Sequence, residues 1–134
     1  MLDSTAAVAA ERQGKNAHQL LEAVARETGD EEIAISVVTV LELAHGVTRA
    51  GTTERHERRK QFLDDLLTGV PIHAVTVPIA LRAGQIDGQS QARGVRIPLS
   101  DLPIGTSALE VGYSVGTANV RHFEQIPGLR VIKL

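Results

Sequence analysis

The chain has 134 residues, 43% hydrophobic and 22% charged, with a formal net charge of −2. That balance fits one globular domain, here residues 1–134, with one core, and excludes a disordered chain. There is no cysteine, so disulfides, thiolate zinc sites and cysteine nucleophiles are excluded. Phe62, Tyr113 and Phe123 are the only aromatics, too few for a base-stacking sheet.

The elements read as follows in chain order. "MLD" is the stub of a first strand, followed by helical sequence to about Glu27 with a break near Gly14. "EEIAIS" (31–36) is a strand, with Ser36 placed to cap the helix "VVTVLELAHGV" and Gly46 and Gly51 marking its exit. Residues 53–68 put Phe62, Leu63, Leu66 and Leu67 on one stripe of an amphipathic helix. "VPIHAVTV" (70–77) is β-branched and reads as a strand. Pro78 suits the first turn of a helix that runs towards Arg93 and stops at Gly94. Asp101 to Glu110 is helical with Gly112 at its exit, and "YSVGT" and "LRVIKL" are the last strands, bracketing a short turn or helix "VRHFEQI".

Strands alternating with helices imply right-handed crossovers and a parallel sheet covered on both faces. The expected fold is therefore a three-layer α/β/α sandwich around four to five parallel strands. The stretch Ile33 to Ala44 is the most apolar, but it is too short to span a bilayer and contains Glu42. No signal peptide is visible, so a cytoplasmic protein without membrane contact is expected.

In such a sheet, ligands bind beyond the carboxyl ends of the strands. Asp3 ends the first strand, Glu42 lies in the second turn of the helix after strand two, Asp101 opens a helix, and Asn119 follows a strand. All four are expected on one sheet edge. Singly, each has a plain structural explanation: a helix-terminal acid, a chain-terminal residue, a turn former. Converging, the carboxylates would raise one another's pKa unless a cation neutralised them. An oxygen-only donor set selects Mg²⁺ or Mn²⁺ over zinc.

Competing sites find little support. His18, His45, His56, His73 and His122 show no metal-ligand spacing, and no P-loop, dinucleotide fingerprint or nucleophile elbow is present. Arg55, Arg58, Arg59 and Lys60 form a basic run, which reads as a solvated helix face or as a local rim for phosphates.

Four segments carry a resemblance. "LDST" (2–5), "ISVVTVLELAHGV" (35–47), "DLPIGTSALEVG" (101–112) and "TANVRHFEQIPGLRVI" (117–132) resemble, in order, the motifs of PIN-domain ribonucleases, specifically the VapC-type toxins of bacterial toxin–antitoxin pairs. The chain departs from that pattern in its short first strand, in Pro103 and Gly105, and in Asn119, an amide where relatives carry Asp or Asn.

The resemblance implies an endoribonuclease that depends on Mg²⁺, with Mn²⁺ as the alternative, and cleaves RNA phosphodiesters with metal-activated water. Asp3, Glu42 and Asp101 would hold the metal, with Asn119 completing the catalytic set. Ser4, Thr5, Thr117 and Arg121 would orient water or substrate, and His122, beside Arg121, would either contact the RNA backbone or be an ordinary loop charge. It also implies a cognate VapB-type antitoxin and a homodimer. Two alternatives stay open: a PIN-fold binding module with little turnover, and a metal-dependent phosphatase.

Overall fold

One residue, Leu2, joins two pairs of parallel strands into one sheet. In the computed structural model, which describes residues 1–134, β1 (Ile35–Ser36) pairs with β2 (Ile72–His73). β3 (Val115–Thr117) pairs with β4 (Val131–Lys133). Leu2 bridges in parallel to Ile35 on one side and Gly116 on the other. The order across the sheet is β2, β1, the Leu2 segment, β3, β4, which gives the expected five parallel positions.

The strands are shorter than the apolar runs suggested. The central segment contributes only Met1 to Asp3, so β1 and β3 have few residues to pair with on that side. Leu2 N–H donates to the Ala34 carbonyl at 2.9 Å, and Gly116 N–H donates to the Met1 carbonyl at 2.8 Å. On the outer side Pro71 accepts from Ile35 N–H at 3.1 Å but has no N–H to return. The ladder stops there: residues 31–34 and 74–76 lie outside the strands.

Seven helices complete the chain: α1 (Ser4–Arg12), α2 (Ala17–Thr28), α3 (Val37–Thr48), α4 (Thr53–Gly69), α5 (Val77–Ala92), α6 (Asp101–Val111) and α7 (Val120–Phe123). Their starts follow the capping chemistry of the sequence. Asp3, Ser36, Thr52 and Thr76 each accept a backbone N–H from the first turn of α1, α3, α4 and α5. α3 does not end at Gly46. It continues to Thr48, because a helix-interior glycine weakens a helix without terminating it.

Successive strand residues face opposite sides of a sheet, and Met1 and Leu2 accordingly enter different cores. Leu2 packs with Ala7 and Ala10 of α1, Leu20 and Val24 of α2, and Phe62 and Leu66 of α4. Met1 packs with Ala83 of α5, Leu102 and Ala108 of α6, and Phe123 of α7. This is the three-layer α/β/α sandwich.

The structure gives a reason for Gly105. A Cβ there would overlap Ile126 Cδ1 and approach Leu129 Cδ2 to 3.2 Å, and Ile126 is itself only 1% exposed. Alanine at a helix interior gains about 1 kcal/mol over glycine, but overpacking a closed core costs roughly 1–3 kcal/mol. Gly105→Ala is therefore expected to lower the melting temperature. A rise would mean that Ile126 has room to move aside.

Candidate active site

Asp3 is buried where the Leu2 segment runs into α1. Its carboxylate is held on several sides. Thr5 Oγ1 lies 2.8 Å from Oδ1 and 3.0 Å from Oδ2, and Thr117 Oγ1 donates to Oδ2 at 2.8 Å. Ala6 N–H donates to Oδ1 at 3.3 Å. Each hydroxyl also accepts a backbone N–H: Ala118 N–H to Thr5 at 3.1 Å, and Asn119 N–H to Thr117 at 2.9 Å. The two hydroxyls also lie 3.0 Å from each other, so Thr5, Thr117 and Asp3 form one hydrogen-bonded cluster. Thr5 and Thr117, expected to orient water or phosphate, both border the Asp3 carboxylate, and Thr117 is fully buried.

Glu42 reaches this region because α3 is pinned to the central segment. Thr39, one turn earlier and 1% exposed, donates its hydroxyl to the Leu2 carbonyl at 3.2 Å. Asp101 opens α6 and is largely buried, and its Oδ2 lies 2.9 Å from His122 Nδ1. Asn119 sits at the start of α7, but its amide does not cap that helix. It turns to His122, with Nδ2 3.1 Å from the ring Nδ1. Ser4 stands beside Glu42, and Arg121 is exposed on α7.

The three acids behave as one electrostatic group. Burial pushes the Asp3 carboxyl above the usual range, even against the hydrogen bonds from Thr5, Thr117 and Ala6. The Glu42 carboxyl is raised by burial first and then by the charge of Asp101; the Ser4 hydroxyl works the other way, and Asp3 raises it further. Asp101 is raised by burial, lowered by the charge and hydrogen bond of His122, and raised by Asp3. Coulomb coupling is mutual, so ionising any one of the three opposes ionising the others.

This donor set fits a hard divalent cation: three carboxylates whose ionised forms are disfavoured and whose charge a cation would neutralise. The side chains as they stand are not closed around one point, since no three acid or imidazole groups sit in coordinating geometry.

A pH dependence follows. A carboxyl whose folded pKa is raised adds stability below its unfolded pKa and loses it as pH rises through the folded value. In EDTA, Glu42→Gln should melt higher than the native protein at neutral pH. The gap should narrow as pH falls through the carboxylate range. A gap that stays constant with pH in paired melting curves would show that Glu42 carries no such strain.

The model for the PIN domain matches residues 1–129. The chain belongs to the PIN-domain family. Among curated proteins, this PIN domain is 27% identical over 99 residues to the tRNA(fMet)-specific endonuclease VapC of Salmonella typhimurium, covering 74% of this chain and 73% of that one. It is also 27% identical over 97 residues to ribonuclease VapC2 of Rickettsia felis, covering 72% and 70%. Among solved structures, VapBC2 of Rickettsia felis bound to a DNA fragment from its promoter superposes with a TM-score of 0.83. The identity is 22%, covering 100% of this chain and 97% of that one. FitAcB from Neisseria gonorrhoeae superposes with a TM-score of 0.76 at 23% identity, covering 98% and 94%. These likenesses match the sandwich built around Leu2.

The sequence of this PIN domain shows no metal-ligand spacing among its histidines and offers His122 only as an RNA-backbone contact or a loop charge. His122 nevertheless touches Asp101, and the signal available was its position three residues after Asn119 in "NVRH". Thr39 was also missed; it stands three residues before Glu42, one turn earlier on the same helix face.

Proposed function

We propose that this chain, a single PIN domain over residues 1–134, is a divalent-metal-dependent endoribonuclease and the toxin of a toxin–antitoxin pair. The observation that carries the reading is the electrostatic coupling of Asp3, Glu42 and Asp101 at the carboxyl edge of the sheet. Relatives named as an endonuclease and a ribonuclease point to the same chemistry.

Asp3, Asp101 and Glu42 would hold Mg²⁺, with Mn²⁺ as the alternative. Bound there, such a cation supplies Lewis-acid chemistry, lowering the pKa of water and stabilising charge on phosphodiester oxygens. The protein's own part is to keep the ligands in place. Thr5 and Thr117 stop the Asp3 carboxylate from rotating, and Thr39 fixes α3 and with it Glu42. Ser4 bonds Glu42, the Asn119 amide turns to His122, and exposed Arg121 is placed to meet an RNA phosphate.

The antitoxin reading has its own support in a groove of about 490 Å³ between α1, α3 and α4. Ala7, Val8, Leu41, Leu43, Phe62 and Leu63 supply its apolar lining, and it reaches Ser4 and Glu42. A partner segment lying there would cover apolar surface and close the site together, as helix-in-groove recognition does. A VapB-type antitoxin is the proposed occupant, in line with the VapBC complexes that share this fold. Val8→Asp, placing a charge at a 39% exposed groove position, should weaken antitoxin binding at least about tenfold while RNA cleavage persists. Unchanged antitoxin affinity by calorimetry would put the partner elsewhere.

A homodimer is proposed through the exposed apolar side chains Val77 and Leu81 of α5. No helix is long and apolar enough to cross a membrane, and a cytoplasmic location is proposed with the toxin role. Structured RNA assayed beside a chromogenic phosphoester, with Mg²⁺, Mn²⁺ or EDTA, tests the enzyme reading. Metal-dependent RNA cleavage alone is expected. Turnover of the phosphoester alone would make the protein a phosphatase, and no turnover of either would make it a binding module.

A further inference from the structure

Three contacts converge on the His122 ring. Nδ1 lies 2.9 Å from Asp101 Oδ2, and the Asn119 amide nitrogen lies 3.1 Å from Nδ1 and 3.4 Å from Nε2. Where Asp101 is ionised, as a cation-binding carboxylate must be, it can only accept, so Nδ1 then carries the proton and donates it to Asp101. With that proton committed, the Asn119 amide shares the bond through its oxygen, which a half-turn of the amide brings to the same place. The ring thus ties the start of α6 to the loop between β3 and α7. Its side chain is 43% exposed, so core packing does not explain this placement.

We propose that His122 is a positioning residue of the cation site, fixing Asp101 through Oδ2 so that Oδ1 stays free to bind the cation, with Asn119 steadying the ring. The inference rests on the metal-dependent reading above. It assigns to His122 the task that carboxylates and carbonyls perform for metal-binding histidines, with the roles exchanged: here the imidazole orients the ligand. Direct coordination by His122 is disfavoured, because the nitrogen nearest Asp101 holds its proton and hard cations prefer oxygen donors.

Calorimetric titration of the full-length, RNA-free protein with Mn²⁺ tests the proposal, comparing the native chain with His122→Ala and His122→Asn. Partners of metal ligands typically contribute roughly 10–100-fold in affinity, so His122→Ala should bind Mn²⁺ at least about tenfold more weakly. His122→Asn should recover most of that loss, since its amide nitrogen stands where Nδ1 stands. Melting in EDTA should differ little among the three, which separates positioning from a merely structural role. In nitrogen-15 spectra of the native protein, the Nδ1 proton should survive saturation with Mg²⁺. Unchanged or tighter Mn²⁺ binding by His122→Ala would overturn the proposal, and so would loss of the Nδ1 proton on Mg²⁺ binding, which would make His122 a ligand. Failure of the native protein to bind Mn²⁺ at all would overturn the metal-dependent reading itself, and this inference with it.

Discussion

Asp101→Asn is expected to lower RNA cleavage by at least about 100-fold while leaving the fold intact. Loss of a ligand's hydrogen-bonding partner already costs roughly 10–100-fold at metal sites, and this substitution removes the ligand's charge itself. Asparagine keeps the volume, and its side-chain oxygen can still accept from His122 Nδ1. The metal-free variant should fold at least as well as the native chain, because one of three mutually repelling charges is gone. Cleavage rates and melting curves on the same preparations check both halves. A folded Asp101→Asn protein that cleaves at the native rate would remove Asp101 from the site.

The second large effect is expected at Phe123. Its ring is fully buried in the core beneath α5, α6 and α7, and it directly follows His122. Truncating a buried phenylalanine costs about 3–5 kcal/mol, part of it for the cavity left behind. Phe123→Ala should therefore lower the melting temperature by roughly 10 °C, at a few degrees per kcal/mol for a domain of this size. Because α7 carries His122, which meets both Asn119 and Asp101, Mn²⁺ affinity should fall as well. A melting temperature within about 2 °C of the native value would mean that this core repacks freely, contrary to the 0% exposure of its neighbours Ile104 and Val115.

Much of this arrangement was legible in the sequence, and the reasons are local. Ser36 and Gly112 announce helix ends through capping chemistry that acts within a few residues. The edge shared by Asp3, Glu42 and Asp101 followed from the rule that parallel sheets gather their ligands at strand carboxyl ends. The strand lengths were not legible. Residues 74–76 continue past β2 opposite positions 37–39, but those already belong to α3, and Pro71 has no N–H for the residues before β1.

The division of labour among polar groups was hidden for a similar reason. Whether Thr117 faces a substrate or Asp3 depends on a contact across 114 positions of sequence, which no spacing rule encodes. His122 looked like a loop charge because nothing in "NVRHF" says that Asp101 waits opposite. Gly105, a departure from the family pattern when read as a letter, becomes intelligible only against Ile126 and Leu129.

Three carboxylates acting as one cation site require RNA cleavage to depend on a divalent cation. The measurement is cleavage of a structured, end-labelled RNA by the native protein after exhaustive treatment with EDTA, followed by titration with Mg²⁺. Cleavage is expected to vanish in EDTA and to return in a saturable way as Mg²⁺ is added, with no such return in Asp3→Asn. Full activity in EDTA, or equal recovery in Asp3→Asn, would contradict the assignment of the three carboxylates as a cation site.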